Sequence, residues 1–449
     1  MVKRRDFLKL MGGSLGAVAL SSCGHGNHSN KPPIAPIPNG YIFYKVISSG
    51  ASLPGGNTLG AIPGTVMINS NNEIYFYGMD QTDTNGYYEL TVDYDGTKPT
   101  VVQVRKVVRE GDSLNDSKVV SKIISGDMND EGSFAAVIQA DDKIPALYLE
   151  REKRGFEPVA GHQTPLPGGG GTFGGSFGDV DLHNDNDILV VSHFGFSDSA
   201  QGYQGVIHLP GGEVNQNGTI VASTRDLIPE SDGIITSLGL VDMHDNGNYV
   251  IQSYGSIPDQ LNQTMKSLSG AIDSVAASML IRGNVKSPNS KTLLSSSPAL
   301  KVARQLNAPI GEAAVGEILM GPRIGASNNV AFVNHVTESY HVMHYMGKPV
   351  VSVGSVTPLG ATINSLSAPV IGSNGLLYYQ AVTDQGMELM VYNGPELVTV
   401  LANGDVVDGS ELSSFFSGFM PDQVDRYGRI VLTGDFVDGS TSILIGIPI

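Results

Sequence analysis

The feature that most constrains this chain is a short turn motif that recurs seven times between residues 66 and 436. Each copy has a short apolar segment, four turn residues, and a second segment rich in β-branched and aromatic residues, as in DMNDEGSFAAVI (127–138). The fourth turn residue is always Gly or Asn, the two types that most readily accept a positive φ. These residues are Asn72, Gly132, Asn186, Gly247, Asn328, Gly375 and Gly428. The pattern predicts seven β-hairpins.

Two further strand-like segments follow each hairpin, and in most units a loop marked by Gly or Pro leads to the next copy. Seven units of four strands predict an all-β fold, a seven-bladed β-propeller, because no blade could bury both faces alone. The apolar segments YIFYKVIS (41–48) and TSILIGIPI (441–449) lack complete units of their own. We expect them to share the last blade and close the ring, which gives a single domain over residues 41–449.

The first 22 residues have the pattern of an export signal, in which basic residues precede a short apolar stretch. Arg4 and Arg5 resemble the twin-arginine motif of bacterial export signals. Leu20-Ser21-Ser22-Cys23 resembles a lipobox, in which the cysteine is acylated and becomes the mature N-terminus. Residues 23–40 follow as a Pro- and Gly-containing tether. The sequence therefore predicts an exported lipoprotein of the cell envelope, facing the periplasm or the outside and anchored through Cys23.

The net charge limits the kinds of partner that this chain can bind, and the cysteine content limits its disulfides. The formal net charge is −17, and because residues 1–22 carry +3, the mature chain carries −17 − 3 = −20. Nucleic acid is a poor partner for such a surface, and membrane attachment should come from the lipid alone. Cys23 is the only cysteine, so an internal disulfide is excluded.

The turns also resemble a family of exported bacterial tandem-repeat proteins, which have an Asn-x-x-Gly-x-x-x-Phe motif and a choice of surface anchors. Asn129 and Gly132 match its first two positions, with Ala136 in place of Phe. Asn69 and Phe76 match its ends, with Asn72 in place of Gly. The resemblance covers roughly residues 41–449. It implies a repetitive β fold on an anchor and brings no catalytic residues with it.

Several patterns invite chemical interpretations. Three turns carry an acidic residue two positions ahead, as in the calcium loops of integrin-type propellers: Asp127-x-Asn129, Asp181-x-His183 and Asp242-x-His244. A late carboxylate is missing from each, which favours turns stabilised by their own side chains. Gly174-Gly175-Ser176-Phe177-Gly178 matches a nucleophile pattern without its strand–turn–helix context, so we interpret residues 165–178 as a flexible loop. The histidines in NHVTESYHVMHYM (334–346) are interpreted as half-buried, and LEREKR (149–154) as a solvated strand end. No metal or cofactor signature is apparent.

The fourth unit breaks the symmetry with an insertion, residues 256–275. Its apolar residues are spaced as on one helix face, namely Leu261, Met265, Leu268 and Ile272. The helix either caps the ring or presents a binding face on the rim formed by the second-to-third strand connections. The leading functional hypothesis is a non-catalytic scaffold that binds an envelope protein or glycan. The alternatives are an exported glycan-active enzyme with a carboxylate pair in the rim, and a calcium-binding propeller.

Overall fold

A computed structural model gives the architecture. Two compact units, Met1–Pro33 and Ile34–Ile449, divide the chain. The structure describes residues 36–94, 98–196, 202–215, 217–224, 226–229, 234–256, 276–296, 317–325, 328–337, 340–416 and 421–449. Cys23, Arg4, Arg5 and the predicted helix with Leu261, Met265, Leu268 and Ile272 lie outside these residues. Within them, no helix is long and apolar enough to cross a bilayer.

The described residues form seven antiparallel sheets, which are the blades of a seven-bladed β-propeller. Blade 1 comprises β2 (Leu59–Ala61), β3 (Val66–Ile68), β4 (Glu73–Asp80), β5 (Asn85–Tyr94) and β6 (Pro99–Arg109). Blade 2 comprises β7 (Val120–Met128), β8 (Phe134–Ala140), β9 (Pro145–Glu150) and β10 (Phe156–Ala160). Blade 3 comprises β11 (Gly171–Leu182), β12 (Ile188–Phe196), β13 (Gly202–Leu209) and β14 (Thr219–Ser223). Blade 4 comprises β15 (Ile234–Met243), β16 (Asn248–Ser256), β17 (Ala276–Asn284) and β18 (Thr292–Ser296).

The remaining three blades complete the ring. Blade 5 comprises β19 (Glu317–Ile324), β20 (Val330–Thr337), β21 (Tyr340–Tyr345) and β22 (Lys348–Ser352). Blade 6 comprises β23 (Ile363–Leu366), β24 (Val370–Ile371), β25 (Leu377–Thr383), β26 (Gly386–Tyr392) and β27 (Leu397–Ala402). Blade 7 comprises β28 (Val406–Val407), β29 (Ser410–Phe416), β30 (Ile430–Phe436), β31 (Thr441–Pro448) and, from the N-terminal side, β1 (Tyr41–Ser48). Because β1 pairs antiparallel with β31, the predicted closure by the two terminal segments is confirmed.

The hairpin turns are the repeated unit that the sequence predicted. All seven fourth turn residues have a positive φ, from 60° at Asn186 and Asn328 to 81° at Gly132 and Gly247. Each turn joins the innermost strand of a blade to the second strand. The seven turns therefore lie at the same end of the central channel, which we call the turn face.

Apolar side chains fill the spaces between neighbouring blades. Each of seven buried clusters takes its residues from two adjacent blades. Between blades 1 and 2, for example, Tyr75 stacks on Phe134 with ring centroids 5.5 Å apart. Removing such rings from water supplies the main stabilisation, of roughly 25 cal/mol per Å² of apolar surface. The core is thus a ring of interfaces between blades.

The innermost strands fall into two groups. Those of blades 2 to 5 are continuous with irregular register. Of the segment 165–178 that was predicted to be a flexible loop, residues 166–170 form a loop, but residues 171–178 belong to β11. For residues 171–178 the prediction was wrong, because glycines within a strand permit close backbone packing. In blades 1, 6 and 7 the strand is interrupted near Pro63, Pro369 and Pro421. Proline lacks the N–H that a continuous ladder requires.

Candidate functional site

The turn face contains a cavity at the mouth of the channel, which we call the central pocket. Its volume is about 130 Å³, and all seven blades contribute to its wall. The residues used below are Asn69, Asn129, His183, Asp242, Asp245, Arg323, Asp422, Val424 and Arg426. Most of the polar side chains come from the turns or from the end of the innermost strand.

Side chains of the turns fix the rim of the pocket. The Asn129 Oδ1 atom accepts hydrogen bonds from the backbone N–H groups of Glu131 (3.1 Å) and Ser133 (2.9 Å). Its Nδ2 atom donates to the His183 carbonyl of the next turn at 2.9 Å. Asn69 Oδ1 makes the equivalent bonds in blade 1. The Asx-type turn at Asn129 confirms, for the turn after Asp127, the interpretation that these turns are stabilised by their own side chains.

The three carboxylates of the suspected calcium loops bond to the neighbouring blade. An Oδ2 atom of each accepts an N–H at the end of the next innermost strand: Asp127 from Leu182 (2.7 Å), Asp181 from Met243 (2.5 Å) and Asp242 from Ile324 (2.5 Å). Among the described residues, no group of three or more acidic or histidine side chains is arranged to hold a metal ion. These aspartates therefore link blades 2 to 5 around the channel.

His183 lies between two carboxylates. Its Nε2 atom is 3.1 Å from Asp181 Oδ2, and its Nδ1 atom is 3.4 Å from Asp245 Oδ1. Burial opposes a charge on the imidazole, but the two aspartates outweigh burial and raise the pKa of His183 well above its usual value. The hydrogen bond from His183 in turn lowers the pKa of Asp245. The two carboxylates therefore favour the protonated, cationic form of the His183 imidazole.

Asp422 differs from the other carboxyl groups of the pocket. It lies in the one-turn 3₁₀ segment Pro421–Gln423, where the innermost strand of blade 7 is interrupted. Its carboxyl group forms a side-chain hydrogen bond with that of Asp127. Burial and the adjacent Asp127 raise the pKa of Asp422 well above its usual value. Among the described residues, no backbone N–H bonds to Asp422, and its raised pKa favours the protonated form of the carboxyl group.

Other charged groups line the pocket or interact with residues that line it. Burial raises the pKa of Asp179 to about 6, and burial also raises that of Asp242. Arg323, which is 7% exposed, opposes both of these increases. The exposed Arg426 lies at the rim, with its guanidinium 4.8 Å from the ring centroid of Tyr427. The pocket therefore combines protonated carboxyl groups, carboxylates and cations.

Other sequence interpretations have mixed outcomes. His344 is 4% exposed, so it is buried and not half-buried as predicted, and its Nε2 atom lies 2.9 Å from the Asn334 side chain in a local hydrogen bond. Ser176 lies within β11 and has no nucleophile-elbow context. The interpretation of residues 149–154 as a solvated strand end was wrong for Glu150, which is 2% exposed and accepts two 2.9 Å hydrogen bonds from Arg105 of blade 1. Glu152 and Arg154 of this segment are exposed. Lys153 bridges two acidic residues of blade 1 at 2.6 Å each.

The central pocket lies opposite the rim on which the sequence placed binding. Sequence reasoning had noted Asp127, Asp181, His183 and Asp242 in turns that resemble calcium loops and had favoured a structural role for these turns, but it missed Asp422. A signal was present in the aligned repeats, where the position three residues before the turn is occupied by apolar residues or glycine in the other blades. Those residues are Val66, Gly126, Val180, Val241, Pro322 and Pro369.

Comparison with known proteins gives no family. No family model matches the chain, and no curated protein matches it. Among solved structures, an acylaminoacyl peptidase is 8% identical with a TM-score of 0.42 over 83% of this chain. The chain spans about half of that peptidase, 49% of its length. The polysaccharide lyase Uly1 is 8% identical with a TM-score of 0.43, and the match covers 91% of this chain and 97% of the lyase. The soluble aldose sugar dehydrogenase of Escherichia coli is 14% identical with a TM-score of 0.32, covering 74% and 99%. These similarities carry no argument about function.

Proposed function

We propose that this protein is an exported, lipid-anchored propeller of the cell envelope whose central pocket binds the end group of a glycan without cleaving it. The export signal at Arg4 and Arg5 and the lipobox cysteine, Cys23, support the location. The geometry of the pocket supports the kind of ligand.

The size of the pocket favours a single ring. Its volume of about 130 Å³ is close to that of a cavity of roughly 150 Å³ that admits benzene. A monosaccharide unit at the end of a chain is of this order of size, whereas a folded protein segment is not. The rest of a glycan would extend from the mouth into solvent.

The chemistry of the wall favours hydroxyl groups. A protonated carboxyl group donates one hydrogen bond and accepts others, while a carboxylate only accepts and a guanidinium only donates. The pocket contains all three kinds of group, in Asp422, Asp245 and Arg323. A sugar hydroxyl both donates and accepts, so it can be satisfied at each of these positions.

The observation that carries the proposal is the position of Asp422. The carboxylates of Asp127, Asp181 and Asp242 are engaged by backbone N–H groups of the next blade, so they have a structural role. Asp422 has no such partner among the described residues and lines the pocket. It therefore has bonding capacity left for a ligand.

Saturation-transfer NMR tests this proposal. The chain with Cys23→Ser, which lacks the acylation site, is mixed with glucose, galactose, N-acetylglucosamine and their β-linked oligomers. We expect at least one sugar to receive saturation, and Asp422→Ala to weaken its binding roughly 2- to 10-fold, the effect of losing a hydrogen bond between neutral groups of about 0.5–1.5 kcal/mol. Asp438→Ala is the matched control, because Asp438 lies in the same blade between β30 and β31, at the opposite end of the strands. Absence of binding by any sugar, or equal binding by Asp422→Ala, would refute the proposal.

A hydrolase is the second candidate, because the Asp127–Asp422 pair resembles two carboxyl groups that share one proton in an acid–base site. Glycosidases, however, separate their two carboxyl groups by roughly 5–9.5 Å so that the sugar or a water fits between them. The hydrogen-bonded pair leaves no such space, which favours binding. Release of new reducing ends from the same oligomers, lost in Asp422→Asn, would support the hydrolase instead.

A further inference from the structure

Blade 7 departs from the repeat at a second position, the third residue of its turn. In the other six turns this residue is polar, namely Asn71, Glu131, Asp185, Asn246, Ser327 and Asn374. Blade 7 has Tyr427 there, and this tyrosine is 54% exposed. An exposed aromatic ring lacks the stabilisation that its burial would supply, and tyrosine is not among the residues that tight turns favour. Neither packing nor turn geometry therefore accounts for Tyr427.

Tyr427 lies beside the central pocket. The preceding residue, Arg426, lines the pocket, and its Nη2 atom donates to the Tyr427 hydroxyl at 2.7 Å. Asp425 also lines the pocket, and its Oδ1 atom accepts the Tyr427 backbone N–H at 2.9 Å. A single side chain, that of Arg426, therefore separates the tyrosine hydroxyl from the pocket.

Contacts with two arginines hold the Tyr427 ring in place. Besides the hydrogen bond from Arg426, the guanidinium of Arg429 lies 5.0 Å from the ring centroid. Arg429 is itself fixed, because it is 7% exposed, pairs with Asp425 and donates to Asn72 Oδ1 of blade 1 at 2.7 Å. A side chain that is already ordered loses little conformational entropy when a ligand packs against it. Tyr427 therefore combines a fixed position with a surface that is more than half accessible.

We infer that Tyr427 forms a second subsite, on which the sugar unit next to the end group stacks through its apolar C–H face. This inference rests on the proposed glycan-binding function and extends the ligand to at least two linked units. A pyranose with mostly equatorial hydroxyls, such as glucose, exposes C–H groups on its faces and hydroxyls at its edge. A tyrosine ring is apolar over its faces and polar at its tip, so it can cover those C–H groups while its hydroxyl stays bonded to Arg426. Blade 7 thus supplies Asp422 for the end unit and an apolar platform for the next one.

Calorimetric titration of the Cys23→Ser chain tests this subsite with glucose, galactose and N-acetylglucosamine, each beside its β-1,4-linked dimer. Burial of about 40–60 Å² of apolar surface, at roughly 25 cal/mol per Å², corresponds to a gain in affinity of about 5- to 10-fold. We expect a dimer to exceed its single unit by this factor. Tyr427→Ala should abolish the gain and leave the affinity for the single unit unchanged. Tyr427→Phe is the matched control, because it keeps the ring, loses only the hydroxyl and should retain the gain.

Proton NMR of the bound dimer reports the stacking directly, because the ring current of Tyr427 should shift the C–H protons of the second unit upfield in wild type and not in Tyr427→Ala. Equal affinity for single unit and dimer, or a gain that survives Tyr427→Ala, would overturn the subsite and leave the proposed function intact. An equal loss of affinity for both ligands in Tyr427→Ala would also overturn it, since the tyrosine would then support the pocket itself. Absence of binding by every sugar would remove the subsite and the proposed function together.

Discussion

The raised pKa of Asp422 leads to a quantitative prediction of how the free energy of unfolding depends on pH. In the folded protein, burial and the adjacent Asp127 raise the pKa of Asp422 well above 3.8, the value that an unperturbed aspartate has. The folded state therefore retains a proton that the unfolded state has lost. For a carboxyl group with a raised folded pKa, the free energy of unfolding is highest at acid pH and falls as the pH rises towards the folded pKa.

The magnitude follows from the retained proton. One proton bound only by the folded state lowers the free energy of unfolding by about 1.4 kcal/mol per pH unit. Between pH 5 and pH 8, three units, the wild-type protein should lose up to about 4 kcal/mol relative to Asp422→Asn. The amide of the variant can donate to Asp127 as the protonated carboxyl does, but it does not titrate. Groups that both proteins share, such as His183, contribute similarly to both and largely cancel in the difference.

Urea titration of both proteins at half-unit steps from pH 5 to pH 8 measures this difference, provided that the slope of unfolding free energy against urea is the same. Asp438→Asn is the control, since Asp438 lies at the surface far from the pair, and its difference from wild type should not vary over this range. A difference between wild type and Asp422→Asn that stays constant with pH would show that Asp422 is ionised in the folded protein. The description of the pocket as a mixture of donors and acceptors would then be wrong.

Two further pairs of variants, each a test with its control, probe the buried polar groups between the blades. Gln423 is fully buried, and its side-chain oxygen and nitrogen have no partner within the described residues. Gln423→Leu should therefore raise the free energy of unfolding by about 1–3 kcal/mol in urea, whereas Gln380→Leu, which removes a 2.7 Å bond to the Phe415 carbonyl, should lower it. Arg105→Met should destabilise the protein by about 3–5 kcal/mol, because it leaves the buried Glu150 without its Arg105 partner and leaves Glu89 with Lys153 as its remaining cation. The same change at the exposed Arg154 should stay within about 0.5 kcal/mol, and equal effects at the two arginines would contradict the buried network.

The fold could be predicted because the turn imposes a local requirement in every blade. A position that needs a positive φ selects Gly or Asn, and this choice is visible at Asn72 and Gly428 as clearly as at Gly132. Ring closure was also predictable, since apolar strands at residues 41–48 and 441–449 had no other partner. These inferences depend on residues that are neighbours in the chain or occupy equivalent positions in the repeat.

The site could be predicted only in part, because it depends on distances between repeats. The acidic residues before the turns were noticed. The local sequence around such a residue, however, is the same whether its carboxylate binds a metal ion or accepts a hydrogen bond from the next blade. Only the fold shows that Asp127 accepts the N–H of Leu182, 55 residues later. The buried pairing of Glu150 with Arg105 was missed for the same reason, since each residue alone resembles an exposed strand residue.

The interruption of the innermost strand explains why Asp422, a carboxyl group with no backbone N–H partner among the described residues, lies in blade 7. In blades 2, 3 and 4 the innermost strand is continuous, and the residue two positions before the turn is an aspartate that bonds the next blade. In blades 1, 6 and 7 the strand is interrupted, and the equivalent residues are Met67, Val370 and Gln423, which form no such bond within the described residues. The interruption replaces strand by a 3₁₀ turn at Pro421–Gln423, and the extra turn directs Asp422 into the pocket. Pro421 fits this interruption because it has no N–H to donate to a ladder, whereas Pro322 is accommodated within β19 at a register shift between Met320 and Arg323.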